Sequence, residues 1–313
     1  MTASTPSALA DQLADYLGLR RALGYRLARP EKLLVQFLDY LGQQDQSVIT
    51  VATALEWARL PAASTSNWWA YRLAAVRGFA AYVHQIDPAH EVPPSGLLPQ
   101  RPLRASPYLY SPDEIAALIE ASACLGTPLR RATFATLIGL LAVTGLRIGE
   151  AIGLDRDDVE ASTGVLTVQH GKFDKQRQVL LHPTSNAALD QYAALRDRMA
   201  PPGPTRALFV SNANTRLLYS NVHATWKRIL AHAGLRPRSG SCRPRIHDVR
   251  HSFAVAAMLD AYTAGEDGQR RLTLLSTWLG HVHPGSTYWY LSASPELMAA
   301  TAQRLETYLA GRP

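Results

Sequence analysis

A chain of 313 residues with 47% apolar and 18% charged content can bury a large core, which excludes a disordered polymer and favours about two domains. Its net charge is +7, and residues 1–100 hold eight basic and eight acidic side chains, so the whole excess falls later, a distribution compatible with a nucleic-acid partner. The longest apolar run, within 132–146, is too short for a bilayer, no signal-like leader opens the chain, and two cysteines make neither a disulfide framework nor a zinc site, so the expectation is a soluble, cytoplasmic protein.

The first ninety residues read as helices. Leu9, Leu13, Tyr16 and Leu17 keep helical spacing, as do Leu33, Leu34, Phe37, Leu38 and Leu41. Thr50 is placed to cap a short helix bearing Val51, Leu55 and Ala58. A fourth helix is expected over 66–85, with Trp69, Leu73, Val76, Ala80 and Val83 on one stripe and Trp68, Arg72 and Arg77 on the other side. Two readings of that second side stay open: solvated arginines on a helical module, or a face on which Arg72 and Arg77 meet phosphates. Residues 88–108 then hold six prolines with Arg101 and Arg104 among them. Proline at that density ends helices and marks a linker. The division is a helical module over 1–92, a linker over 93–108 carrying two further candidate DNA contacts, and a larger domain over 109–313.

That domain opens on Ser111-Pro112-Asp113-Glu114, a capping box with proline at the first helical position. Residues 128–143 are apolar on most sides, which predicts a buried helix ended by Gly145 in the left-handed position. Arg147 falls in the turn that follows, on a mount packed by Ile148, Ala151 and Ile152. After Leu154 the period changes to two, giving strands over 165–169 and 178–181 joined by a hairpin from which Lys172 projects. Helices are expected over 184–199, 220–233 and 247–264, then a break at 265–269, a short helix over 272–279 stopped by Gly280, and a last helix over 294–308. The fold class is mainly α with a small antiparallel sheet. Between the helices, residues 236–245 gather four arginines in a proline-broken loop, where Arg243 and Arg245 are candidate DNA contacts.

Arg147, Lys172, His247, Arg250, His281 and Tyr290 stand in an order that suits one task, breaking a phosphodiester with a protein hydroxyl. The transition state carries extra charge on the non-bridging oxygens, and the planar, permanently charged forks of Arg147 and Arg250 meet it. Lys172 can protonate the leaving 5′ oxygen. His247 and His281 can orient the phosphate or move the phenolic proton, company that a tyrosine with its ordinary pKa of about 10 requires. Taken singly, each has an ordinary meaning: a link between helices, a solvated hairpin lysine, a partly buried aromatic. His247 and His251 stand four apart as zinc ligands do, but Asp248 occupies the place where metalloproteases carry glutamate, so neither metal nor cofactor is expected.

Together these residues resemble the tyrosine recombinases, the family of phage integrases, Xer recombinases and Cre. Arg147 matches the first catalytic arginine, Lys172 the hairpin lysine, His247 and Arg250 the family's His-x-x-Arg, His281 the Leu-Gly-His histidine, and Tyr290 the nucleophile. Glu150 matches an acidic position that supports the first arginine. The resemblance covers 109–295 and extends to the helical module and linker, which resemble the family's core-binding (SAM-like) domain. It implies a clamp around double-stranded DNA, cleavage that leaves a 3′-phosphotyrosyl bond, and exchange within a homotetramer whose C-terminal helices are traded between protomers. Accessory DNA-bending proteins and residence at the nucleoid are implied as well. Two departures stand out: residues 260–271 run longer than in compact Xer-like members, and Tyr288 offers a second phenol ahead of Tyr290. The wording of 283–290 looks more like transposon- and integron-associated integrases. The rivals are a type IB topoisomerase with the same chemistry and a DNA-binding relative that no longer cuts. Six filled positions and a helical tail favour the recombinase.

Overall fold

A computed structural model describes residues 6–25, 27–99, 106–169, 176–200, 203, 205–281, 285, 287–288 and 295–310. The chain separates into two compact units, Met1–Arg104 and Ala105–Pro313. No helix among the described residues is long and apolar enough to cross a membrane.

The first unit is built from α1 (Pro6–Ala22), α2 (Ala28–Gln43), α3 (Val51–Arg59) and α4 (Ser66–His84). Thr50 caps α3 by accepting from the Thr53 N–H, and Thr65 caps α4 by accepting from the Trp68 N–H. Leu34, Phe37, Trp57, Val76 and Phe79 fill the centre, with Phe37 edge-on to Trp57 at a centroid distance of 5.1 Å. The chain after α4 turns back onto this core. His90 accepts the Ile49 N–H through Nδ1, and Leu98 is buried in the same cluster.

Two expectations change here. The stretch expected to be linker from residue 93 is packed on the first unit as far as Leu98, because proline stops a helix without stopping burial. The arginines of α4 do not form an open basic face. Arg72 is only 7% exposed; its guanidinium stacks 3.7 Å from the Trp57 ring centroid and Nη2 donates to the Trp57 carbonyl at 2.8 Å. Burial lowers its pKa. Arg77 donates to the carbonyls of Pro93 and Pro94 at 2.7 and 2.9 Å, so it fastens the returning chain. A guanidinium can satisfy carbonyls that a proline-rich segment cannot pair by itself.

The second unit comprises α5 (Pro112–Ala121), α6 (Pro128–Thr144), α7 (Ile148–Gly153), β1 (Val159–Glu160), β2 (Val165–Val168), β3 (Arg177–Leu180), α8 (Pro183–Met199), α9 (Tyr219–His232), α10 (Asp248–Thr263), α11 (Gly268–Leu279) and α12 (Pro295–Ala310). Ser111 and Glu114 complete the capping box of α5. The antiparallel sheet runs β1-β2-β3, with Leu166 opposite Val179 and Val168 opposite Arg177. α6 is the central helix, packing on α5, α8 and α10 through a side that includes Leu137, Ile138 and Leu141. Met258, Leu275, Leu279 and Leu297 join α10, α11 and α12 in a separate cluster, so α12 rests on α10 of its own chain. α11 starts four residues before the expected 272, because the Asp267 carboxylate accepts the Gln269 and Arg270 N–H groups and starts a helix at Gly268. The two-residue β1 is too short to leave a periodic signal. The expected hairpin over 170–175 lies outside the described residues.

Replacing Arg72 by alanine should lower the stability of the full chain by about 3 kcal/mol, read from its urea midpoint, through loss of a buried charged hydrogen bond and a desolvated cation–π contact. An unchanged midpoint with weakened DNA binding would return Arg72 to the surface.

Candidate active site

The site forms where the ends of α6 and α11 meet the starts of α7 and α10. Gly145 closes α6 at φ 63°, and a Cβ there would stand 2.4 Å from Phe253 Cδ1, so only glycine fits this turn. The turn delivers Arg147 in extended conformation immediately before α7. The Arg147 backbone N–H donates to Glu150 Oε2 at 2.9 Å, and its Nη1 donates to Oε1 at 2.7 Å. The Arg147 side chain is 25% exposed, that of Glu150 only 4%.

Arg250, on the first turn of α10, is 1% exposed. Its Nη1 donates to the Gly145 carbonyl at 2.7 Å and its Nη2 to the Leu279 carbonyl at 2.6 Å, at the C-terminal ends of α6 and α11. These are carbonyls that helix geometry leaves without an intrahelical partner, and both carry the negative end of a helix dipole. The Trp278 indole N–H donates to the neighbouring Thr144 carbonyl at 2.8 Å. Arg250 Nη2 also lies 3.0 Å from His281 Nε2.

His281 follows Gly280, which closes α11 at φ 66°. Arginine can only donate, so Nε2 is the acceptor, Nδ1 carries the proton, and Nδ1–H donates to the buried Thr287 Oγ1 at 2.7 Å. Burial, then the charges of Arg250, Arg147 and Arg177, push the His281 pKa down to about 4. His251 is buried on α10 and is pushed down to about 3 by burial and His247. His247 stands immediately before α10 with its pKa lowered by partial desolvation and Arg250, and its ring meets that of His251 edge-on at 5.3 Å. All three are neutral near pH 7. Among the described residues no group of three His, Cys, Asp or Glu could hold a metal ion.

One residue of the site went unnoticed in the sequence. Arg177, the first residue of β3, donates from Nη1 and Nη2 to Glu150 at 3.1 and 2.7 Å and from Nε to the Trp278 carbonyl at 2.9 Å. Its signal was alternation: Arg177 shares a strand face with the buried Val179, and an arginine on an inward face needs a carboxylate. Burial alone would raise the Glu150 pKa, but Arg177 and Arg147 outweigh it and bring it down to about 2.

Arg147, His247, Arg250 and His281 therefore gather in one place. Arg245 forms a two-pronged ion pair with the fully buried Asp248, at 2.9 and 2.7 Å, which anchors the start of α10. Arg243 is exposed and donates to the Gly240 carbonyl at 3.2 Å. Tyr288 is exposed. Lys172, Tyr290, Arg101 and Arg104 lie outside the described residues.

The family model described as "Phage integrase family" matches residues 109–296. Protein y4rB of Sinorhizobium fredii, which carries an integrase/recombinase name, is 42% identical over 300 residues, covering 93% of this chain and 95% of its own. The tyrosine recombinase XerD of Mycobacterium leprae is 30% identical over 316 residues, covering 91% and 93%. Among solved structures, XerH bound to palindromic difH in a post-cleavage complex aligns over 96% of this chain and 85% of that one, with a TM-score of 0.62 and 20% identity. The Tn1549 transposon integrase in complex with circular intermediate DNA aligns over 95% and 99%, with a TM-score of 0.62 and 18% identity. These two likenesses establish a shared fold.

The folded pKa of Glu150 lies below its ordinary value of 4.5, so its stabilisation is complete above about pH 4.5 and is lost as pH falls toward 2. Unfolding free energies from urea titrations between pH 6 and pH 3 should fall less steeply in Glu150→Gln than in the parent, by about 2 kcal/mol across that window. Parallel pH profiles would contradict the assignment.

Proposed function

The chain belongs to the phage integrase family and is a tyrosine recombinase, an enzyme that cleaves and rejoins DNA at defined sites, and from that premise we propose that Arg147, Lys172, His247, Arg250, His281 and Tyr290 form its catalytic set. The Tyr290 oxygen attacks the scissile phosphorus as the bond to the 5′ oxygen breaks, and the Lys172 ammonium gives that oxygen its proton. The product is a 3′-phosphotyrosyl ester and a 5′ hydroxyl. A 5′ hydroxyl from another strand reverses the step and rejoins the backbone. One phosphoester replaces another at each stage, so no nucleotide hydrolysis drives the exchange, and the guanidiniums supply the charge stabilisation that a metal ion gives elsewhere.

The observation that carries the reading is the position of Arg250, held beside the neutral His281 at the junction of two helix ends, with Arg147 in the adjoining turn. The scissile phosphate would take up Arg147 and Arg250, while His281 Nε2 keeps the Arg250 fork in place until DNA arrives. His247, on the exposed side of the cluster, would handle the tyrosine proton. Arg101, Arg104, Arg243 and the half-exposed Arg245 would be phosphate contacts, whereas Arg72 and Arg77 are already committed within the first unit.

The partner is DNA, and in this chain it would be double-stranded; the XerH structure holds a palindromic difH substrate and the Tn1549 integrase structure holds circular intermediate DNA. The assembly would be a homotetramer in which α12 leaves α10 of its own chain for a neighbour, aided by accessory DNA-bending proteins at the nucleoid. The outcome would be integration and excision or transposition.

A nicked duplex carrying the selected site traps the covalent complex. Tyr290→Phe should abolish the adduct and retain binding, whereas Tyr288→Phe should retain both; an adduct in Tyr290→Phe would refute the nucleophile. Arg147→Ala should slow single-turnover cleavage by about 10²–10³-fold with little change in Kd. The logarithm of affinity should fall linearly with the logarithm of salt concentration. Relaxation of supercoiled plasmid at arbitrary sequence would favour the topoisomerase instead.

A further inference from the structure

Glu150 is one carboxylate between two guanidiniums, and the two differ. Oε1 receives Arg147 Nη1 and Arg177 Nη1, while Oε2 receives the Arg147 backbone N–H and Arg177 Nη2. Four donors fill the carboxylate, so Arg147 is left with one side-chain contact to it while Arg177 grips with both prongs. Arg147 is the more exposed of the two, 25% against 13% for Arg177. Arg177 is also fixed from behind by the Trp278 carbonyl and by Gly280, where a Cβ would stand 3.0 Å from its Nη1. It therefore cannot swing out toward a ligand without abandoning Glu150 on α7 and Trp278 on α11 together.

The electrostatic consequence is simple. Arg147 and Glu150 alone would form a neutral pair, with the positive charge of Arg147 spent inside the protein. Arg177 restores one positive charge to the trio and leaves it on the member that faces solvent. We propose that Arg177 is a positioning residue for strand cleavage, neutralising Glu150 so that the Arg147 fork keeps its charge and orientation for the scissile phosphate. This rests on the assignment of Arg147 as a phosphate ligand. One guanidinium thus braces three places: the strand β3, the turn that carries Arg147 and the turn that carries His281.

Removing Arg177 does more than delete a contact. It leaves a buried carboxylate with one cation, and Arg147 folds down onto it with both prongs. The remedy is to remove the carboxylate too, which a purely structural brace would not predict for the chemical step. Single-turnover cleavage of the nicked duplex at saturating protein, with folding checked by circular dichroism and urea midpoint, compares Arg177→Met, Arg177→Lys, Glu150→Gln and the Arg177→Met/Glu150→Gln double variant. Arg177→Met should slow the rate constant by about 10²-fold with unchanged DNA affinity, and the double variant should regain about tenfold of that loss. Arg177→Lys, which keeps the charge and loses the fork, should lie between Arg177→Met and the parent.

A rate constant in Arg177→Met equal to the parent overturns the proposal. So does a double variant as slow as Arg177→Met. If Arg177→Met does not fold, a double variant slower than Arg177→Lys by about 10²-fold overturns it, and one within about tenfold supports it. Arg147→Ala, run alongside, separates the two levels: full cleavage there removes the phosphate-ligand assignment itself, whereas its loss together with a failed rescue removes only the role of Arg177.

Discussion

Carbonyl groups at helix C-termini have no partner within their own helix, and the second unit is organised around satisfying four of them. Thr144 and Gly145 end α6; Trp278 and Leu279 end α11. Their donors are, in that order, the Trp278 indole, the Arg250 guanidinium, the Arg177 guanidinium and Arg250 again. Trp278 reaches from α11 to the end of α6, and Arg250 donates to both helix ends; burial of its charge would be costly without those carbonyls. The two helix ends converge because one buried cation serves both, and convergence brings the turns bearing Arg147 and His281 beside each other. Structural need and catalytic geometry have the same origin here.

The charge pattern follows from that crossing. A site for a phosphodiester must be positive, yet buried like charges repel. The protein resolves this by keeping its histidines neutral and by placing a single carboxylate among the arginines. His281 takes a hydrogen bond from Arg250 through its unprotonated nitrogen and gives one to Thr287 through the other, so its tautomer is fixed by neighbours on both sides. Glu150 prevents mutual repulsion of Arg147 and Arg177 while remaining almost wholly out of solvent. Arg245 and Asp248 repeat the logic one turn away, anchoring the start of α10 so that Arg250 enters the site at a fixed height.

Arginine has two uses in this chain, and sequence does not separate them. Arg72 and Arg77 lie on the side of α4 away from its apolar stripe, where they could have met phosphates, but Trp57 and the Pro93–Pro94 carbonyls claim them. The difference lies in which acceptors the fold leaves unpaired nearby. A proline-rich return segment supplies carbonyls and few donors, and an arginine within reach is drawn to them.

Local rules determined a good deal without any structure. Capping residues Thr50 and Ser111, the helix stops Gly145 and Gly280, and the change to a period of two near Val165 are all decided by neighbours a few residues away, so the sequence states them directly. The identity and order of Arg147, His247, Arg250 and His281 belong to the same class, since their chemistry is in their side chains. Tertiary structure alone decided the burial of Arg72, the anchoring of Arg77, and the place of Arg177 between Glu150 and Trp278. Each of these depends on a partner that packing carries to a charged group from another element or turn, and a guanidinium written in a line of letters does not reveal which oxygen it will meet.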